Sequence, residues 1–162
     1  MPVLLLLLLV IAPLPTLAHG TSAGPEAMPI NTGATGPVVS VYRSASCGCC
    51  TLWGDHIAAA GFRLDDHVTE EMDAVKAARG IPSELSSCHT AVVEGYVIEG
   101  HVPASAIQRL LQEKPDIRGL TAPGMPMGSP GMEMDGVTAE PYDVLAINHD
   151  GTTRVFATFG SQ

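Results

Sequence analysis

The chain has 162 residues, of which 46% are hydrophobic and 15% charged, and its formal net charge is −9 at pH 7. This length suits a single domain with extensions and one sizeable hydrophobic core. Because the phosphates of nucleic acid demand a basic surface, the acidic balance argues against a nucleic-acid partner.

The first residues are typical of an export signal. Residues 3–12 are almost wholly apolar but too short for a comfortable membrane span, and Thr16-Leu17-Ala18 resembles a signal-peptidase site. The segment lacks Lys and Arg before its apolar run, so an uncleaved membrane anchor is the alternative. We predict a signal peptide over residues 1–18 and, after its cleavage, a soluble, exported protein without membrane contact. Residues 19–36, rich in Gly, Ala, Thr and Pro, are predicted to be a flexible leader.

Residues 37–162 are predicted to form one domain whose elements alternate between strands and helices. In order, the pattern predicts a strand at 38–42, a helix at 51–60, a strand at 62–64, a helix at 69–80, a hairpin at 90–99 and a helix from 103. The order β-α-β-α-β-β-α predicts an α/β domain of the thioredoxin and glutaredoxin type, with a parallel crossover followed by an antiparallel hairpin.

The composition changes after this last helix. Residues 119–136 are predicted to be a Gly/Pro/Met loop without regular structure, and residues 142–159 a terminal β-hairpin with Asp150-Gly151 in its turn. The loop carries two Met-x-Met pairs, at Met125 and Met127 and at Met132 and Met134.

Three cysteines lie together between the first predicted strand and the first predicted helix, as Cys47-Gly48-Cys49-Cys50. A helix N-terminus stabilises a thiolate, which makes the sulfur both nucleophilic and metal-binding. Cys47 and Cys50, three residues apart, project from one face and can form a disulfide or share a metal. Cys49 is predicted to be either a ligand or a small buried hydrophobe beside the apolar stripe of the helix.

The fourth cysteine, Cys88, precedes His89 in the loop that enters the third strand. In a thioredoxin-like fold this loop lies against the start of the first helix, so Cys88 and His89 should face the cysteine cluster. A framework of two disulfides is the weaker alternative, because it must use Cys49, and adjacent cysteines bridge poorly. His101, at the end of the fourth strand, is interpreted as structural.

Thiolates and thioethers together select Cu(I), and a thioether needs no deprotonation to bind it. We therefore predict copper, as Cu(I), with Cys47 and Cys50 as the principal ligands and Cys88 as a third. Cys49, if it is a ligand, would be a bridging fourth, and His89 would bind the metal or one of its ligands. Met125 and Met127 are predicted to be further ligands. An adaptable hydrophobic patch is the alternative for the methionines. Zinc is the competing metal, since three cysteines and His89 could form a tetrahedral site.

No nucleophile triad, phosphate-binding loop or paired-carboxylate motif is found, so no catalytic residue is assigned and enzymatic activity is left open. A thiol–disulfide oxidoreductase that uses Cys47 and Cys50 is the alternative function. The third possible function is that of a purely structural exported domain, which would leave the methionines of the loop unexplained.

Four blocks of the sequence resemble a known bacterial family. They are the cysteine cluster with Trp53, residues 87–91, residues 95–103 and the Pro/Gly/Met segment 123–132. The family consists of exported proteins of unknown function described as metal-binding, and it includes the copper-resistance protein CopG. The resemblance covers about residues 38–159. It implies a thioredoxin-like fold, a periplasmic copper site at Cys47, Cys49, Cys50 and Cys88, and a role in copper tolerance, with copper ions and other copper carriers or efflux components as partners.

Overall fold

The computed structural model describes residues 35–160 of the chain. The predicted signal peptide and nearly all of the predicted leader lie outside this range, so both stay predictions. Between residues 35 and 160, no helix has the length and apolar character needed to cross a membrane.

One seven-stranded sheet and three α-helices make up the described domain. The elements are β1 (Val38–Arg43), α1 (Gly48–Ala59), β2 (Arg63–Val68), α2 (Met72–Ala78), a 3-10 turn (Ser83–Leu85), β3 (Thr90–Val93), β4 (Tyr96–Gly100), α3 (Ala104–Glu113), β5 (Gly119–Ala122), β6 (Tyr142–Ile147) and β7 (Thr153–Phe159). The strand order is β2-β1-β3-β4-β5-β6-β7. The predicted α/β class is confirmed, and so is the β-α-β-α-β-β-α order of its first part.

The first four strands pair as the sequence predicts. β1 runs parallel to β2 through the α1 crossover, while β3 is antiparallel to both β1 and β4. Glu94 and Gly95 turn the chain between β3 and β4 with φ angles of 46° and 87°. Two consecutive positive φ angles form the tight turn that matches the twist of a β-hairpin. The hairpin pairs Thr90 with Glu99, so the loop before β3 lies beside the end of β4.

The strand β2 extends past its predicted end because its carboxylates find partners. Asp66 forms two side-chain hydrogen bonds with the Arg43 guanidinium, at 3.0 and 2.7 Å, and both side chains are buried. Ser40 donates a hydrogen bond to Asp65 at 3.2 Å. A buried charge is tolerated when it is paired in this way, so the polar half of β2 can lie in the sheet.

The strand β5 corrects the sequence prediction of an irregular loop from residue 119. All four of its residues are buried, and it pairs parallel with β4 and antiparallel with β6. Four residues are too few to show an alternating pattern, and the Gly, Pro and Met residues that follow hide the signal. The sheet of the predicted thioredoxin-like unit therefore continues through β5 into the β6–β7 hairpin, which forms as predicted.

Candidate metal centre

The cysteine cluster lies at the beginning of α1. Cys47 precedes the helix, and a disulfide joins it to Cys50, with a Cα–Cα distance of 5.4 Å. Cys50 is fully buried together with Trp53 and Ile57, which follow it by three and seven residues. This spacing puts Cys50, and not Cys49, on the apolar stripe of the helix.

Cys49 is a half-buried free thiol, and its sulfur lies between the disulfide and the fourth cysteine, Cys88. Its Sγ lies 3.5 Å from the Sγ of Cys47 and 3.8 Å from the Sγ of Cys88. All four cysteine Sγ atoms lie within 4.8 Å of one another. The fold thus brings together the four predicted sulfur ligands, Cys49 among them.

A buried carboxylate holds the loop that carries Cys88. Glu99 on β4 accepts hydrogen bonds from the Ser87 backbone N–H at 2.7 Å and from the Thr90 hydroxyl at 2.6 Å. Its charge is balanced by Lys76 on α2, whose Nζ lies 2.5 Å from Glu99 and 3.1 Å from the Thr90 hydroxyl oxygen. We call Glu99, Lys76, Ser87 and Thr90 the Glu99 clamp. Because the clamp fixes the residues on both sides of Cys88-His89, it positions the Cys88 sulfur.

Two buried histidines contact Cys88. Nδ1 of His89 lies 3.4 Å from the Cys88 Sγ, and Nε2 of His101 lies 2.9 Å from the same sulfur. Nδ1 of His101 donates to the carbonyl oxygen of Pro130 at 2.8 Å. The His89 ring packs on Trp53 with a centroid distance of 4.3 Å. Both rings are fully buried, so the two imidazoles line the side of the sulfur cluster that faces the protein interior.

Sequence reasoning missed His101, although the predicted hairpin contains the signal. Thr90 pairs with Glu99 across β3 and β4, and continuing this register by two residues sets Cys88 opposite His101. In an antiparallel pair, residues directly opposite each other have neighbouring side chains. Extending the hairpin register beyond the strand ends would have predicted this pair.

Burial keeps these groups in their neutral forms. It raises the pKa of Cys88 to about 12, with the nearby Cys49 as a further cause. Burial also lowers the pKa of His89 well below its usual value, and His101 and Lys76 add to that effect. The pKa of His101 is lowered by burial, against the opposing effect of the Pro130 carbonyl. The metal-free site therefore holds a protonated Cys88 thiol and two neutral imidazoles at pH 7.

The Gly/Pro/Met segment 123–141, called here the strap, covers the start of α1. Gly131 is buried and has a φ of +85°. A Cβ at this position would lie 2.6 Å from the Cys49 carbonyl oxygen and 2.8 Å from the Trp53 backbone nitrogen. Since only glycine allows this approach, the strap backbone packs directly against the first turn of α1. The strap is thus a docked segment whose contacts reach both α1 and, through Pro130, His101.

The two predicted methionine ligands lie on the first part of the strap. Met125 is 54% exposed and Met127 is half-buried. The ligand role of both thioethers stays a prediction.

Comparisons with known proteins identify the family. A family model described as a protein of unknown function, DUF411, matches residues 85–132. A solved chain described as copper resistance protein copG, form 2, is 43% identical, with a TM-score of 0.73 over 76% of this chain and 98% of that chain. Another, described as form 1, is 40% identical, with a TM-score of 0.71 over 84% of this chain and 100% of that chain. No curated protein matches the sequence. From this identity and coverage, the chain belongs to the family of the copper resistance protein CopG.

Proposed function

We propose that this protein binds copper at Cys47, Cys49, Cys50 and Cys88 and thereby sequesters, relays or redox-converts copper in copper tolerance. The observation that carries the proposal is the convergence of all four cysteine sulfurs within 4.8 Å of one another. Two solved chains, 43% and 40% identical, are described as forms of copper resistance protein copG, which supports the choice of metal.

The donor set favours copper over zinc. Three of the sulfurs come from four consecutive residues, whereas a structural zinc site usually draws its ligands from two separated pairs. Crowded thiolates suit soft Cu(I), which also tolerates low coordination numbers. Copper loading requires reduction of the Cys47–Cys50 disulfide, since only thiolates are strong ligands.

Further elements of the proposal come from the sequence. Met125 and Met127 would supply thioether ligands or a first contact for incoming copper. The predicted signal peptide supports a periplasmic location, where other copper carriers or efflux components would be the partners.

The disulfide also favours a second candidate function, thiol–disulfide exchange by Cys47 and Cys50. The pair lies at the N-terminal end of α1, where the helix dipole stabilises a thiolate. Cys88 argues against this candidate, because a further thiol within 4.8 Å would divert the active pair into an unproductive disulfide.

The decisive experiment is an anaerobic Cu(I) titration of the fully reduced protein, with bound copper counted by native mass spectrometry. Copper binding that weakens in Cys88→Ser and Cys49→Ala would support the proposal. Failure to bind copper, together with efficient reduction of a model disulfide, would favour the oxidoreductase. Met125→Leu and Met127→Leu should weaken copper affinity or transfer if the thioethers are ligands, and should change neither if the methionines only pack.

A further inference from the structure

Among the described residues, the three most exposed large hydrophobic side chains lie on the segments that meet at the cysteine cluster. They are Leu52, Met125 and Met134, with exposed fractions of 56%, 54% and 60%, and we call them the apolar rim. Exposed apolar groups that lie together mark interaction surfaces, whereas isolated ones need no explanation. We propose that the apolar rim is the docking surface for a copper-carrying partner protein with a cationic face. The inference rests on the copper-binding function proposed above and adds to it the chemistry of the partner.

Two members of the apolar rim are placed by the first turns of α1. Leu52 follows Cys49 by three residues in this helix, so the two side chains lie on one helix face. Met134 follows Gly131 by three residues in the strap, and Gly131 packs against the Cys49 carbonyl oxygen. Both exposed side chains therefore lie on segments that adjoin the half-buried Cys49 thiol.

Met125 is placed by the loop that carries Cys88. The Gly124 N–H donates to the Ser86 carbonyl oxygen at 3.0 Å, and the Gly124 carbonyl oxygen accepts a hydrogen bond from the Ser87 hydroxyl. These two bonds fix the residue before Met125 against the residues before Cys88. The third member of the apolar rim thus lies beside the fourth cysteine.

Carboxylates border the apolar rim. Because β1 and β2 run parallel, the loop after β2 lies at the same end of the sheet as the cysteines that follow β1. Glu70 in this loop accepts a hydrogen bond from the Ala45 N–H at 3.3 Å, and Glu133 on the strap accepts one from the Gly131 N–H at 2.6 Å. The exposed acidic side chains on the segments at this end are Glu70, Glu71, Asp73, Glu84 and Glu133. We call them the acidic border.

The cationic side chains do not neutralise the acidic border. Arg43 and Lys76 belong to elements behind the cysteines, but both are buried in ion pairs. The exposed cationic side chains lie elsewhere on the domain, and they are Arg63, Arg109, Lys114 and Arg154. Arg63 begins β2 and Lys114 follows the end of α3, so both lie at the opposite end of the sheet. The end that holds the cysteines is therefore negatively charged.

An apolar surface with a negative border fits a partner surface with the opposite border. Opposite charges raise the rate at which two proteins meet, and they disfavour partners of like charge. Leucine and methionine then supply the apolar contact, and methionine adapts to different partner shapes. Docking here brings the partner's copper beside Cys49. Cu(I) then passes by ligand exchange: a Cu–S bond to this protein replaces a bond to the partner's ligand, the thiol proton goes to water, and no electron moves.

The probe is a pair of synthetic Cu(I) carrier peptides that differ only in charge. Both contain the same leucines and Met-x-x-Met segments, and one has lysines where the other has glutamates. Anaerobic stopped-flow gives the second-order rate constant for Cu(I) transfer to the fully reduced protein. At low salt the cationic carrier should transfer at least about tenfold faster than the anionic one. The difference should shrink with added salt, since the Debye length falls from about 30 Å at 0.01 M to about 10 Å at 0.1 M.

Matched charge variants locate the docking surface. Glu70→Gln/Glu133→Gln removes charge from the acidic border and keeps a side-chain oxygen as hydrogen-bond acceptor. It should slow transfer from the cationic carrier at least about threefold at low salt. The control Glu94→Gln/Asp116→Asn removes the same charge from the β3–β4 turn and from the segment before β5, both at the opposite end. It should leave the rate constant nearly unchanged.

A second pair of variants tests the apolar contact. Leu52→Ser should slow transfer from either carrier at least about threefold, whereas Val155→Ser should not. Val155 is the matched control because it is 53% exposed and lies on β7, the edge strand. Neither change should alter the equilibrium Cu(I) affinity measured by chelator competition, since neither side chain is a proposed ligand. Circular dichroism of each variant checks that it folds.

Several results would overturn the docking surface while Cu(I) binding stands. They are equal rate constants for the two carriers at low salt, equal rate constants for the two charge variants, or an equal effect of Leu52→Ser and Val155→Ser. Equal slowing of both carriers by Glu70→Gln/Glu133→Gln would show that the carboxylates act on copper itself and would also overturn the cationic partner. Failure of the reduced natural sequence to bind Cu(I) in chelator competition would instead overturn the proposed function.

Discussion

The Glu99 clamp offers a strong test of how the site is held in place. Lys76→Met leaves the Glu99 carboxylate fully buried with only the Ser87 N–H and the Thr90 hydroxyl as partners. Breaking a buried ion pair by removing one partner costs about 3–5 kcal/mol. Glu99→Gln strands the Lys76 ammonium in the same way. The double variant removes both charges, so it should be more stable than either single variant by at least about 1 kcal/mol.

The measurement is urea unfolding of the four members of this double-mutant cycle in the metal-free state. Glu113→Gln is the matched control, because Glu113 pairs with Arg109 at 2.7 Å but is 48% exposed in its side chain. Exposed pairs of this kind contribute less than about 1 kcal/mol, so the control should unfold almost as the natural sequence does. Additive effects in the cycle, or single variants within about 1 kcal/mol of the natural sequence, would refute the clamp as a charge-balanced unit.

Three further outcomes are expected. Gly131→Ala should cost about 1–3 kcal/mol more of unfolding free energy than Gly136→Ala, because both glycines have positive φ but only Gly131 meets backbone atoms; equal losses in urea unfolding would contradict the docked strap. Because the pKa of His89 is lowered in the folded state, His89 takes up a proton below pH 6.5 in the unfolded chain but stays neutral in the folded chain. The free energy of unfolding of the metal-free protein should therefore be constant for this group above pH 6.5. Below pH 6.5 it should decrease by up to about 1.4 kcal/mol per pH unit. His89→Phe should reduce this slope in urea unfolding at pH 5–7, and an unchanged slope would exclude His89 as its source. Since Cys88 has a pKa raised to about 12, copper loading of the reduced protein should release one proton more than loading of Cys88→Ser, measured with a pH indicator in weak buffer, and equal release would show that Cys88 keeps its proton.

Most of the fold and the four-cysteine cluster could be predicted from local signals. The strand–helix boundary places Cys47-Gly48-Cys49-Cys50 at the start of α1, and the hairpin signal places Cys88 in the loop facing it. These predictions succeeded because each depends on periodicity or turn chemistry over fewer than a dozen residues. The position of β5 was missed because a four-residue strand in the sheet interior is defined by its neighbours on both sides.

The remaining features of the site depend on contacts across the chain. In the sequence, Glu99 is a polar residue at the end of a predicted strand, with no sign of its partners. Only the folded structure shows that it holds the Cys88 loop, because Lys76 on α2 and Ser87 come within hydrogen-bond distance of it. His101 obtains its tautomer from Pro130, 29 residues further on. Local patterns carry no information about such partners, so the sequence could predict that the four cysteines lie together but not which groups orient them.

The strap has a consequence for the kinetics of metal exchange. It connects β5 and β6, which pair with each other, so its two ends stay anchored in the sheet when its middle leaves α1. The middle of the strap can then move away from α1 only as a loop held at both ends. For this to happen, the buried turn around Gly131 must lose its contacts with α1. If metal leaves through this opening, an acceptor can collect it no faster than the loop opens. Transfer should then become first-order and independent of acceptor at high acceptor concentration, with opening of the strap as the limiting step.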